Sequence, residues 1–446
     1  MAESNDVYKT MDLALRIGEL LLSSGAGAAD VGAQMNNVAL ACGLRRVTAD
    51  VTFTELAMSH QATVDEPALI QLRQVRHREI DYEDLTLVDH LVRELASGEI
   101  DRDEAATRLA RIVSSGHARP RWAVTLGLGV MGAGVGLVLG GNWLVTVIAF
   151  VAAVGIDLIQ RQLNRRRLPT FYQQVAGGLF ATLLTIAVVA AGLDVEPSRV
   201  ITASIILLLA GVNFMGAIQD ALTGFPLTAG ARILEAIIAT AGVIGGVSGG
   251  LTVARVAGVD LGRLNPGAVT FSDVPLMALG GAVTAAAYAF SSYAPYRSLL
   301  PIAVIATVAT SLYLVIYQRG FGIAWASGVA AVVVGLTSFS LSGRARVPAL
   351  VVVVSAIVPL LPGLSIYRGL TLLAQGGGAG LLPMVNAASI AIALSSGVIL
   401  GEYIAQPLKR EARRLESRLA GPRLVGPMTV HVTRRRHRER RAAVDD

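Results

Sequence analysis

Between residues 122 and 406 the chain is almost wholly apolar, so the few polar side chains inside that run are where chemistry would lie. Asn213, Gln219 and Asp220 fall together, Glu235 stands alone, Arg368, Asn386 and Glu402 come late, and Asp157 sits beside Gln160 and Arg161. An ionisable group in hydrocarbon is costly and marks an ion or substrate pathway unless it reaches the interface. For Asp157 the interface is the simpler explanation; for Asp220 and Glu402 both readings stand. A carboxylate in a low-dielectric cavity has a raised pKa and can carry a proton. Asp220, Glu235 and Glu402 are therefore the candidates for ion coupling.

A second signal is Pro359-Leu360-Leu361-Pro362-Gly363. Each proline removes a backbone donor and clashes with the preceding turn, and glycine eases unwinding. Freed peptide groups cannot face lipid, so such a break faces protein or a wet cavity. In transporters, broken helices put half-helix ends near mid-membrane, where amides meet a carboxylate and carbonyls meet cations. Ala210-Gly211-Val212-Asn213-Phe214-Met215 can be laid over Pro362-Gly363-Leu364-Ser365-Ile366-Tyr367, 152 residues on. The candidate substrate-binding residues are thus Gly211, Asn213, Pro362, Gly363, Ser365, Arg368 and Asn386, with Asn213, Ser365 and Asn386 as partners for a substrate hydroxyl. The bland alternative is a structural kink.

The elements that must hold these residues follow from hydropathy. With 53% hydrophobic and only 16% charged residues, the 446-residue chain is far from a soluble composition. A span needs roughly 20 apolar residues, and ten candidates occur, at about 122–140, 143–160, 171–192, 199–219, 227–252, 274–291, 297–317, 321–341, 348–374 and 385–406. An offset of five spans is odd, so the expected fold is an α-helical polytopic membrane protein of about ten helices, arranged as a 5+5 inverted repeat. The domains expected are 1–118, a small soluble α+β module; 119–270 and 271–406, the two five-helix repeats; and 407–446, a basic tail. Arginines and lysines favour one side of the loops, fourteen to four, which puts both termini in the cytoplasm. Within the module, helices are expected at Met11–Leu22, Asp30–Ala41, Asp84–Ala96 and Asp101–Val113. Strands are expected over Val47–Met58 and Ala68–Val75, with Asp65-Glu66-Pro67 as their turn.

Other chemistries find little footing. Gly127-Leu128-Gly129-Val130-Met131-Gly132 matches a dinucleotide fingerprint but lies inside an apolar span, where small residues serve helix packing. No phosphate-binding GxxxxGK[ST] loop occurs, so an ion gradient is the expected energy source, and no cofactor is implied. One cysteine, Cys42, and six histidines at 60, 77, 90, 117, 431 and 437 give no metal-ligand spacing. Ser23, Ser24, His60 and His77 allow a hydrolase in the module as the alternative function, without a GxSxG elbow behind it. The isoelectric point of about 9.7 owes much to twelve Lys and Arg between Lys409 and Arg441. That placement fits anionic lipids at a membrane face better than nucleic acid. Homo-oligomerisation is left open.

Taken together, LALRIGELLLSSGAGAADVGAQMNNVALACGL near the start, GAIQDALTGFPLTAGARILEA at Gly216–Ala236, PGLSIYRGL at Pro362–Leu370 and SGVILGEYIA at Ser396–Ala405 resemble the threonine/serine exporter family in content and order. The opening run carries that family's Gly-Glu-x-Leu-Leu-x-Ser-Gly signature at Gly18–Gly25. The resemblance implies a cytoplasmic domain followed by ten spans in the bacterial inner membrane. It also implies efflux of threonine and serine driven by the proton motive force. One departure is Ala210-Gly211, where the family has Pro-Gly in both halves; the tail beyond about 420 has no counterpart.

Overall fold

The computed structural model describes residues 2–76, 78–193, 195–209, 211–259, 274–374 and 380–419. The N-terminal module comprises α1 (Ala2–Ser23), α2 (Ala28–Ala41), β1 (Val47–Val51), β2 (Glu55–His60), β3 (Leu69–Gln74), α3 (Tyr82–Ser97) and α4 (Arg102–Ser115). Its sheet is an antiparallel meander, with Val51 opposite Leu56 and His60 opposite Leu69. The stretch expected as one strand over Val47–Met58 is two, closed by a bond from the Thr52 N–H to the Glu55 carbonyl at 2.9 Å. Helix ends follow local chemistry. Asp81 accepts from the Glu83 and Asp84 amides, Asp101 accepts from Glu104, and Gly98 closes α3 in the left-handed region at φ 77°. Leu13, Ile17, Met35, Leu56, Met58 and Val88 form the module's core.

Eight helices among the described residues are long and apolar enough to cross a membrane. They are α5 (Arg121–Val138), α6 (Trp143–Arg165), α7 (Thr170–Ala190), α10 (Pro226–Val256), α11 (Val274–Ser291), α12 (Tyr296–Gln318), α13 (Ile323–Ala345) and α16 (Leu381–Leu419), the last through Ala405. The other two expected segments are each interrupted. The first reads α8 (Pro197–Ile205), a 3-10 turn (Ile206–Leu208) and α9 (Gly211–Leu222). The second reads α14 (Ala349–Ile357), a 3-10 turn (Val358–Leu360) and α15 (Gly363–Ala374). Every bound in the second lies 152 residues after its match in the first.

Small residues let the helices touch backbone to backbone. A Cβ built on Gly178 of α7 would lie 2.7 Å from the Val243 carbonyl of α10, and one on Gly280 of α11 would lie 2.8 Å from the Gly134 carbonyl of α5. Gly132, the last glycine of the fingerprint-like motif, similarly abuts the Ala149 carbonyl of α6, so that motif packs helices. Residues 1–405 make one unit, because the module is sewn to the helices. The Tyr82 N–H donates to the Ser292 carbonyl (2.8 Å), Arg119 donates to the Ala294 carbonyl (2.9 Å), and the Thr228 hydroxyl donates to the Val51 carbonyl (3.3 Å). The basic tail expected to meet lipid lies outside the described residues beyond Leu419.

Candidate functional site

The two broken segments cross at their breaks. After each 3-10 turn one leucine is extended, Leu209 at ψ 131° and Leu361 at ψ 143°, and a new helix begins two residues later. A Cβ on Gly211 would stand 3.0 Å from the Leu361 Cβ, and one on Gly363 would stand 3.1 Å from the Leu209 Cβ. The contact is reciprocal: each glycine makes room for the other segment's leucine. The Leu209 and Leu361 amides donate back into their 3-10 turns, and the Gly211 amide donates to the Leu209 carbonyl at 2.8 Å. A cavity of about 110 Å³ lies against the crossing, with Gly211, Gly363, Pro359, Leu209 and Leu361 in its wall. Only Thr284 and Tyr288 give it polar character. The expectation of a polar space at the proline break is therefore corrected, because the breaks satisfy much of their own backbone and the leucines turn inward.

The polar space is next door. A cavity of about 140 Å³ is enclosed by Ser23, Gly25 and Gly27 after α1, by Arg78, Glu79, Ile80 and Tyr82 before and at the start of α3, and by membrane helices. From α9 come Val212, Asn213, Met215, Gly216 and Gln219; from α10, Arg232 and Glu235; from α14, Leu350 and Val354. Gly25 turns the chain here at φ 102°, a conformation that suits glycine. The floor is an ion pair. Asp220 is 1% exposed, and its Oδ2 lies 3.1 Å from Arg232 Nη1. Its Oδ1 accepts the Ala28 N–H at 3.0 Å. The N-cap of α2 is Gly27, which has no side chain for the task, so a carboxylate 192 residues away caps that helix and meets its positive end. Arg232 also donates to the Ala26 carbonyl at 3.3 Å. Gly216 gives it room, since a Cβ there would lie 2.8 Å from Nη1.

Two module charges face this floor. The Arg78 guanidinium stacks on Phe53 at 3.5 Å, and its buried Nη2 has no hydrogen-bond partner among the described residues. Burial, then the neighbouring Arg232 charge, push it down to about 10, still cationic at neutral pH. Desolvation, then Asp220, push the Asp30 carboxyl up.

The candidates named from sequence disperse. Gly211, Pro362 and Gly363 sit at the crossing, and Asn213 and Glu235 line the polar cavity. Asp220 lies beneath it in the ion pair. Ser365, Arg368 and Asn386 line neither cavity, and Arg368 has no ion-pair partner among the described residues. Glu402 on α16 is within electrostatic reach of Asp30. The Asp157 side chain is 12% exposed, paired with Arg161 and bonded by the Thr125 hydroxyl at 2.7 Å. Arg78, Glu79 and Tyr82 escaped sequence reasoning, because a lone arginine between a strand and a helix carries no spacing signal. The Ser23 hydroxyl bonds the Leu20 carbonyl of its own helix at 3.0 Å, and Ser24 is buried; His77 lies outside the described residues.

A bundle of membrane-length helices with two broken segments crossing beside a charged cavity is the build of a transporter. Models of the threonine/serine exporter family match residues 12–254 and 277–404. The chain is 37% identical over 426 residues to the "Probable threonine/serine exporter" of Mycobacterium tuberculosis, covering 93% of this chain and 80% of that protein. It is 33% identical over 422 residues to the "Threonine/serine exporter" of Corynebacterium glutamicum, covering 93% and 86%. This chain belongs to the threonine/serine exporter family, and it is a transporter, not an enzyme. The hydrolase alternative finds no support in these matches. No solved structure matches the chain significantly.

Proposed function

We propose that the chain is a secondary active exporter of threonine and serine, driven by the proton motive force across a bacterial inner membrane. The observation that carries this reading is the reciprocal crossing, Gly211 on Leu361 and Gly363 on Leu209, in a member of an exporter family. The constant 152-residue offset of the broken segments supports a ten-span, 5+5 inverted arrangement, with the N-terminal module and the tail in the cytoplasm. The basic tail then meets anionic lipid.

In this reading the N-termini of α9 and α15 turn their positive dipole ends to the substrate carboxylate during the transport cycle. Arg368 stands one to two turns further along α15 as a second partner for it. Asn213, Ser365 and Asn386 supply groups for the hydroxyl, which a site built to bond it would distinguish from an analogue lacking it. Asp220 holds the module in place, so proton coupling falls to Glu235 and Glu402.

Cells expressing the chain and loaded with labelled threonine should lose the label faster than controls, and a protonophore should erase the difference. Efflux equal to the control would defeat the proposal. Efflux insensitive to the protonophore would defeat the coupling.

A further inference from the structure

The structure assigns a substrate-loading site to the polar cavity between the N-terminal module and the membrane helices, with Arg78 of the module as the group that takes the amino acid's carboxylate. This rests on the export reading and extends it, because it gives the module a direct share in binding. Arg232 is already held by Asp220 and the Ala26 carbonyl. Arg78 is different: its guanidinium lies against Phe53 with a buried nitrogen that bonds nothing described. A buried donor left unmade is costly, and a charged acceptor meets it best.

The opposite end of a zwitterion is also provided for. Glu79 and Glu235 line the same cavity, both are exposed at its mouth, and neither has an ion pair among the described residues. Asn213 adds an amide for a hydroxyl. At about 30 Å³ per water, 140 Å³ takes about five waters or one small amino acid. The cavity leads onward as well. Val212 lines both it and the cavity at the crossing. Tyr82, in the wall of the first, meets Tyr288, in the wall of the second, edge to face at 6.2 Å. A substrate seated on Arg78 thus already touches α9 and α14, and Val212 and the Tyr82–Tyr288 pair stand between it and the cavity at the crossing.

The test uses the full chain in lipid nanodiscs, with Cys42→Ser removing the natural thiol and Ser23→Cys placing one on the cavity wall. Threonine should slow maleimide labelling of that thiol several-fold, and threoninol, which lacks the carboxylate, should not. Adding Arg78→Gln should raise the threonine concentration for half-protection by about tenfold or more, and Arg78→Lys by less. No protection by threonine, equal protection by threoninol, or unchanged half-protection without Arg78 would each overturn the assignment. If Arg78→Gln lowers the melting temperature, the threonine-threoninol contrast with Arg78 intact decides alone. Efflux measured on the same variants separates the two readings. Protection without wild-type efflux defeats export and keeps the site; wild-type efflux without protection defeats the site and keeps export.

Discussion

Residues 197–222 and 349–374 share a helix, a 3-10 turn, an extended leucine and a second helix, and their glycines grip each other's leucines. Around the first break Gly216 receives the Arg232 guanidinium, which is tied to Asp220 and through it to the module. Around the second, Gly369 receives the Met384 side chain, and Arg368 carries its charge without a described ion pair. One backbone plan thus serves a break whose charge is paired and anchored and one whose arginine has no described ion pair. The difference is traceable to the module, which brings the positive end of α2 to α9. Charge is stable there because opposite charge and a free amide meet it.

The sharpest way to break this comparison is at Asp220. Asp220→Ala leaves Arg232 buried without its carboxylate and α2 without its cap, at a cost of about 3–5 kcal/mol. The position 152 residues later is Leu372, 36% exposed, and Leu372→Ala should cost under about 1 kcal/mol. Melting of the purified variants reads both; similar losses would show that the anchor is not where the asymmetry lies.

The crossing itself should respond evenly. Gly211→Ala and Gly363→Ala each push a methyl to about the same distance from a leucine Cβ, and overpacking of this kind costs about 1–3 kcal/mol. Matching losses of stability and of efflux are expected in the two variants. A harmless substitution on one side beside a damaging one on the other would end the reciprocal description.

How much of this was written in the chain depends on the range of each interaction. The second break was legible because Pro359, Pro362 and Gly363 act on their own helix. The first has no proline in its break, only Gly211, and its position came from the faint similarity at a 152-residue offset. The turn at Thr52-Phe53-Thr54 hid because none of its residues is a turn specialist, so β1 and β2 merged. Asp220 stood out as a polar residue at a span's end, yet its work depends on Ala28 and Arg232, which local pattern does not connect to it. Arg78 was least visible of all: its meaning lies in a cavity assembled from the module and three membrane helices.

The smallest effect concerns the module's other attachment, beyond α11. There Asp81 pairs with His117, whose ring stacks on Tyr293 at 3.9 Å, and Asp84 lies beside them. Burial, then the Asp81 charge, push Asp84 up to about 6 from an ordinary 3.8. The folded state therefore holds this proton to higher pH than the unfolded chain does. The stability it contributes is complete below about pH 4, falls as pH rises toward 6, and is absent above. Asp84→Asn removes a strained charge at neutral pH and should stabilise by on the order of 1 kcal/mol at pH 7.5, discounted for solvent access, with little gain at pH 4.5. Melting curves at the two pH values check this. At the Asp220 anchor the carboxylate caps α2 and pairs with Arg232, so Asp220→Asn should destabilise at pH 7.5, and the contrast in sign between the two substitutions would separate a carboxylate held by its partners from one crowded by a like charge.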